Sequence, residues 1–212
     1  MNTNTTSVWR KKLKELEIVV VIPTYNNGKT LAAVIEEVYR YADDIIVIND
    51  GSTDDTANIL EQYPAIRTIT HPVNKGKGTA LKHGLSQAKK EGFRYAITID
   101  SDGQHFASDI PCFIEAIEKE PDTLLVGARN LASDNMPGKN TFANKFSNFW
   151  FRLETGLKLE DTQSGYRLYP LRKMDVQSCW YTAKYEFELE AIVFAAWGDV
   201  VVKNIPIHVY YP

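Results

Sequence analysis

Three short runs of mostly branched aliphatic residues each stop on a cluster of oxygen-bearing side chains, and this pattern limits the chain more than any other feature. Ile18–Ile22 runs into Pro23-Thr24-Tyr25-Asn26-Asn27, Ile45–Ile48 into Asn49-Asp50-Gly51-Ser52, and Tyr95–Ile99 into Asp100-Ser101-Asp102. Short runs rich in Val and Ile, without polar alternation, read as strands covered on both faces. Leu124–Val126 and Val200–Ile207 read as strands too. Between the runs, Thr30–Tyr41, Asp54–Gln62, Thr79–Glu91 and Asp109–Lys119 read as helices. Thr53-Asp54-Asp55-Thr56 offers caps and first-turn acids ahead of Ile59-Leu60. Strands alternating with helices imply βαβ units and a mainly parallel sheet, an α/β fold. Ligands of open α/β sheets bind outside the carboxyl ends of the strands. Polar clusters at three such ends predict a cleft on that edge.

A chain of 212 residues can bury one sizeable core. No repeat, low-complexity tract or Pro/Gly/Ser-rich linker divides it, so the expected organisation is an N-terminal arm over 1–16 and a single domain over 17–212. The formal net charge of −3 leaves no excess of cations for phosphate neutralisation, which argues against nucleic-acid binding. Arg10, Lys11, Lys12 and Lys14 form a local basic group, read as a solvated arm, with a membrane-surface contact as the alternative. Cys112 and Cys179 lie far apart and outside any C-x-x-C pair, which disfavours a disulfide scaffold or a zinc site and suits a cytoplasmic protein. Met1 to Ser7 lacks the apolar core of a signal peptide. No apolar run approaches the roughly 20 residues that span a bilayer. The end at Tyr210-Tyr211-Pro212, directly after a strand-like segment, leaves open whether the native chain continues.

Asp100 and Asp102, two apart past a strand end, can turn toward one ion, and Gln104 adds a neutral oxygen. Oxygen-only donors suit Mg²⁺ or Mn²⁺ rather than zinc. The alternative is an acidic turn leading into the helix after Asp109. His105 reads as a surface or supporting group. Asp50 can accept from a base N–H or a ribose hydroxyl, although an Asp-Gly turn also explains Gly51 and Ser52. His71-Pro72-Val73-Asn74-Lys75-Gly76-Lys77-Gly78 resembles a phosphate cradle at a helix start, or is simply loop and cap. It lacks P-loop spacing, and no G-x-G-x-x-G follows the first strand. Arg129 closes a strand with a cation suited to bidentate diphosphate contact. Asp161-Thr162-Gln163-Ser164-Gly165-Tyr166-Arg167 joins a carboxylate, small residues and a second arginine. Glu186, Glu188 and Glu190 read as dipole-complementing surface charge at a helix start. Phe142, Phe146, Phe149, Trp150 and Leu153 fall on one helical stripe, read as core packing with an interfacial helix as the alternative, and Asn130–Asn140 reads as an acceptor lid.

Seven segments in order carry a family resemblance: Val20-Val21-Ile22-Pro23-Thr24-Tyr25-Asn26, Asn49-Asp50-Gly51-Ser52-Thr53-Asp54-x-Thr56, Asn74-Lys75-Gly76-Lys77-Gly78-x-Ala80, Asp100-x-Asp102-x-Gln104-His105, Gly127-x-Arg129, Asp161-x-x-Ser164-Gly165-Tyr166-Arg167 and Ile205-Pro206-Ile207. Together they resemble the family 2 glycosyltransferases of GT-A fold, a Rossmann-like, mainly parallel sheet flanked by helices. The nearest branch is that of the polyprenyl-phosphate sugar transferases, including dolichol-phosphate mannosyltransferases. The resemblance implies that Pro23, Tyr25 and Asp50 line the nucleoside pocket, with Asn27 at the same end. It implies that Asp100 meets ribose and metal, and that Asp102 and Gln104 hold Mg²⁺ or Mn²⁺ against the donor diphosphate. Arg129 would face the diphosphate or an acceptor phosphate, and Asp161, Ser164 and Arg167 would lie on the acceptor side. Asn27 stands where this branch commonly has Glu, and Asn49 where it often has Asp, which bears on the donor's base rather than on the reaction.

The implied reaction is a single inverting displacement from a GDP- or UDP-linked sugar to a polyprenyl phosphate at the cytoplasmic face of a membrane. Asp161 and Arg129 are the expected catalytic residues, and Lys77 is a candidate for binding or steering phosphate. A saccharide-hydroxyl acceptor is the alternative, with Asp161 as its base. The reading from another class is a nucleotide-binding protein without turnover.

Overall fold

The computed structural model describes residues 3–129, 159–175 and 186–210. The aromatic stripe from Phe142 to Leu153 and the loop Asn130–Asn140 lie outside them. A mixed sheet carries the strands β1 (Ile18–Thr24), β2 (Ile45–Asn49), β3 (Arg67–Thr70), β4 (Tyr95–Thr98), β5 (Leu124–Arg129), β6 (Arg167–Pro170) and β7 (Val202–Ile207). Their order is β3-β2-β1-β4-β6-β5-β7. β6 runs antiparallel to both β4 and β5, and the other pairings are parallel. The helices are α1 (Thr3–Glu15), α2 (Leu31–Tyr39), α3 (Thr56–Glu61), α4 (Lys77–Lys90), α5 (Ile110–Lys119) and α6 (Glu186–Trp197).

Alternate residues of the buried strands feed two apolar layers, as the pleat dictates. Ile18, Val20 and Ile22 of β1 pack into one layer with Ile35 of α2 and Phe113 of α5. Val19 and Val21 pack into the other with Leu81 and Leu85 of α4 and Ile192 of α6. Ile110, Phe113, Ile114 and Ile117 put the apolar face of α5 on the sheet at helical spacing. Each fully buried side chain of this size contributes about 1.5–3 kcal/mol.

Two elements escape the sequence reading, β3 and β6, and one region departs from it. The arm expected to be solvated is helical. Leu13 is buried in the core and Trp9 packs on it. Two members of the basic group pair beyond the arm, Arg10 with Asp43 and Lys12 with Glu118, while Lys11 and Lys14 stay exposed. Among the described residues no helix is long and apolar enough to cross a membrane.

Candidate active site

β1 has β2 and β3 on one side and β4 on the other, so the strand order reverses beside it. Such a switch point opens a crevice at the strand ends. The three polar clusters meet there and are tied together. Asn26, in a left-handed conformation (φ 53°), accepts from Thr53 N at 2.8 Å, and its own N–H donates to Ser52 Oγ at 3.0 Å. Asn27 Nδ2 donates to Ser101 Oγ at 2.8 Å, and Ser101 Oγ donates to the Pro23 carbonyl at 3.0 Å. Between these loops lies a cleft of about 600 Å³ lined by Pro23, Tyr25, Asn27, Asp50, Lys77, Asp100 and Asp102, among others. Every residue assigned from the sequence to the donor nucleotide therefore reaches one cavity.

The cleft walls are braced from below. Asp50 is buried at 3% exposure, and its oxygens accept from Lys75 N at 2.9 Å and Gly76 N at 2.8 Å. His71 Nδ1 lies 2.6 Å from Asp50 Oδ1. Asp50 thus holds the Gly/Lys loop with most of its acceptor capacity and keeps little for a ligand. Gly51 allows the two loops to meet: at φ 71°, a Cβ there would stand 2.4 Å from the Val73 carbonyl carbon. Asn49, also buried, accepts from Ser52 N at 3.0 Å and so braces its own turn.

Lys77 starts α4 and reaches across to Asp100, at 2.7 Å from Oδ1 and 2.9 Å from Oδ2. It also lies 3.2 Å from Glu188 Oε1 on α6. Burial alone would push the Asp100 carboxyl up, but Lys77, then His105 and Arg167, hold it below its ordinary value. Burial likewise works against the Lys77 charge and is outweighed by Asp100 and Glu188, which raise it. Glu188 corrects the surface reading given to Glu186, Glu188 and Glu190 together. It is 6% exposed and belongs to the site, whereas Glu186 is exposed. Only the identity of its partner, 111 positions away in sequence, would have revealed this.

Asp102 sits exposed at the rim, and its Oδ1 accepts from Gln104 N at 2.9 Å. His105 differs from expectation: it is buried, and among the described residues its Nδ1 has no hydrogen-bond partner, lying 4.0 Å from Asp100 Oδ2. Burial pushes this imidazole down, toward its neutral form. Among the described residues no three His, Cys, Asp or Glu side chains converge as a cage. A hard cation that takes one or two carboxylates, waters and substrate phosphates fits this set, which is the habit of Mg²⁺.

The acceptor-side residues behave differently. Arg129 Nε donates to Asp161 Oδ2 at 2.5 Å and Nη2 to Oδ1 at 3.0 Å, a bidentate pair. Asp161 is fully buried and also accepts from Gln163 N at 2.9 Å. Burial would raise its carboxyl, but the Arg129 contacts hold it below the ordinary range. A carboxylate so engaged is a weak base, contrary to the base role weighed for Asp161. Arg167 does not face an acceptor. It is fully buried, donating from Nε to Ser164 O at 2.7 Å, from Nη2 to Thr162 O at 2.9 Å and from Nη1 to the Glu188 carbonyl. Ser164 is buried too, its Oγ 3.3 Å from Tyr166 N. Both were expected at a ligand because the polarity of a loop was read as exposure. The guanidinium instead satisfies carbonyls that the loop cannot pair by itself.

The family model for "Glycosyl transferase family 2" matches residues 19–176. The chain belongs to that family. Among its relatives, the UDP-N-acetylglucosamine–dolichyl-phosphate N-acetylglucosaminyltransferase of Methanococcus voltae is 30% identical, over 92% of this chain and 86% of its own. The polyprenol monophosphomannose synthase of Mycolicibacterium smegmatis is 26% identical, over 89% of this chain and 76% of its own. A solved structure of glucosyl-3-phosphoglycerate synthase from Mycobacterium tuberculosis, holding Mn²⁺, UDP and glucosyl-3-phosphoglycerate, superposes with a TM-score of 0.70 at 19% identity. That superposition covers 98% of this chain and 77% of the other, and it shows the GT-A fold expected from the resemblance. As a family 2 member with this fold, the chain is a glycosyltransferase.

Proposed function

We propose that this glycosyltransferase moves a sugar from a UDP- or GDP-linked donor onto a polyprenyl phosphate, with inversion at the anomeric carbon. The observation that carries the choice of acceptor is the Asp161–Arg129 pair, since the carboxylate assigned as base is buried and held ionised by an arginine. A hydroxyl acceptor needs a base to take its proton. A phosphate arrives already ionised. Its oxygen forms the bond to the anomeric carbon, the bond to the donor diphosphate breaks, the electron pair leaves with the diphosphate, and no proton moves. The dolichyl-phosphate and polyprenol-phosphate relatives support the same choice.

In this reading Pro23, Tyr25, Asn27 and Asp50 form the nucleoside end of the cleft. Asp102 and Gln104, with Asp100 shared, would hold Mg²⁺ or Mn²⁺. When bound, such an ion neutralises charge on the leaving diphosphate. Lys77 orients Asp100 and adds positive charge beside the diphosphate. Arg129, fixed by Asp161, faces the incoming phosphate. The lipid acceptor brings the reaction to the cytoplasmic face of a membrane.

The test is an acceptor panel: UDP-N-acetylglucosamine, UDP-glucose and GDP-mannose with Mn²⁺, each offered polyprenyl phosphate, the free polyprenol and simple saccharides. Transfer to the lipid phosphate alone is expected. Transfer to a hydroxyl with the phosphate untouched would overturn the proposal, and nucleotide binding without any transfer would favour a non-catalytic role.

A further inference from the structure

Two histidines lie behind the nucleoside end of the cleft, and the chemistry above uses neither. His71 follows β3 and is buried at 4% exposure, while His83 sits on α4 and is exposed. His71 bridges inward and outward at once. Its Nδ1 is 2.6 Å from Asp50 Oδ1, and its Nε2 is 2.7 Å from His83 Nδ1. The rings meet edge-on, with centroids 4.7 Å apart at 88°. The His71 backbone is fixed as well, its N–H donating to the Asn49 carbonyl at 2.9 Å.

Counting protons orders the chain of contacts. A carboxylate only accepts, so His71 Nδ1 carries a hydrogen. The Nε2 of a neutral His71 is then an acceptor, so His83 Nδ1 must donate to it, which leaves His83 Nε2 at the outer end. Burial, then the neighbouring His71 and Lys75, push His83 down, toward its own neutral form. At the inner end Asp50 grips the Lys75 and Gly76 amides at the start of α4, one residue before Lys77. His83 lies further along the same helix. The chain Asp50–His71–His83 therefore joins the ends of β2 and β3 to two points on α4.

We infer that His71 and His83 are positioning residues of the donor cleft: they fix Asp50, and Asp50 fixes the loop that delivers Lys77 to Asp100. A binding group keeps its geometry only when hydrogen bonds behind it lock its orientation. The inference rests on reading the cleft as a nucleoside-diphosphate site.

Two substitutions at one position separate positioning from mere packing. His71→Asn keeps an amide N–H near the place of Nδ1, hence the Asp50 contact, and gives up His83. His71→Gln puts its amide near the place of Nε2, hence keeps His83, and gives up Asp50. Calorimetric titration with UDP and with GDP, each with Mn²⁺, should show the Kd of the nucleotide that the wild type binds rising about tenfold in His71→Gln, which is 1.4 kcal/mol. It should rise only about twofold in His71→Asn and in His83→Ala. Unchanged Kd in all three with a lowered melting temperature would overturn the inference, and so would equal losses in the Asn and Gln variants. A wild type that binds neither nucleotide would overturn the cleft reading itself. The histidine chain then stands or falls on side-chain ¹⁵N NMR, where an Nε2–H tautomer of His71 would refute it.

Discussion

The two halves of the sheet use charge in opposite ways. On the β1–β2–β4 side, Tyr25 and Asp102 stand exposed on an open cleft, and the buried groups beneath them brace its walls. On the β6–β5 side, Asp161, Ser164 and Arg167 are buried, and their polar atoms are spent on the protein itself. One half leaves polar groups exposed on an open cleft, whereas the other uses them to hold an irregular loop against the sheet. A polar cluster beside an active site is therefore not evidence of ligand contact until its hydrogen bonds are traced.

The comparison breaks most visibly if Arg167 proves dispensable. Arg167→Leu should leave the carbonyls of Thr162, Ser164 and Glu188 without their donor, and each buried acceptor left unsatisfied costs about 1–3 kcal/mol. A fall of roughly 10 °C in melting temperature is expected by calorimetry. A fully stable variant defective only in acceptor KM would return Arg167 to the ligand. Asp102→Ala tests the opposite half. The exposed side chain should cost little stability but on the order of 100-fold in kcat/KM, as lost electrostatic groups at a leaving diphosphate do. Normal turnover that a chelator still abolishes would remove Asp102 from the metal site.

Gly165→Ala probes the seam between the halves. A Cβ there would stand 2.6 Å from Asp100 Oδ2 and 2.8 Å from both Lys77 Nζ and Glu188 Oε1. About a tenfold rise in donor KM is expected, near 1.4 kcal/mol, with kcat largely kept. The smallest effect is an acid one. The Asp161 carboxyl is depressed below its ordinary 3.8, so its contribution is complete above that value and disappears as pH falls through the lower, folded value. Denaturant titrations from pH 5 downward should show Asp161→Asn losing less stability than the wild type.

The same contrast explains what could be read from the amino-acid sequence. β1, β2 and β4 were legible because a strand buried on both faces must be apolar throughout, and the polar residues after it then mark the cleft edge. β3 was not legible: Arg67-Thr68-Ile69-Thr70 is a short edge strand with half-exposed faces. β6 was hidden because it begins with a buried arginine and ends in proline, and its partners β4 and β5 are distant in sequence. Burial of Glu188, His105 and Arg167 was illegible for one shared reason. A charged or polar side chain is exposed by default, and only a partner brought by the fold can make its burial tolerable. The residues lining the cleft were legible together because most of them fall at consecutive strand ends. Ser164 and Arg167 were placed at a ligand on polarity alone, and the fold buries both.

The most direct test of the central claim is single-turnover transfer by Asp161→Asn to polyprenyl phosphate, at a temperature where the variant is folded. If Asp161 only anchors Arg129 and the acceptor arrives ionised, the chemical step should slow by less than about tenfold, below the 10²–10⁴ that a general base contributes, while acceptor affinity weakens. A loss of a thousandfold or more in a folded variant that still binds donor normally would contradict the account and restore Asp161 as the base.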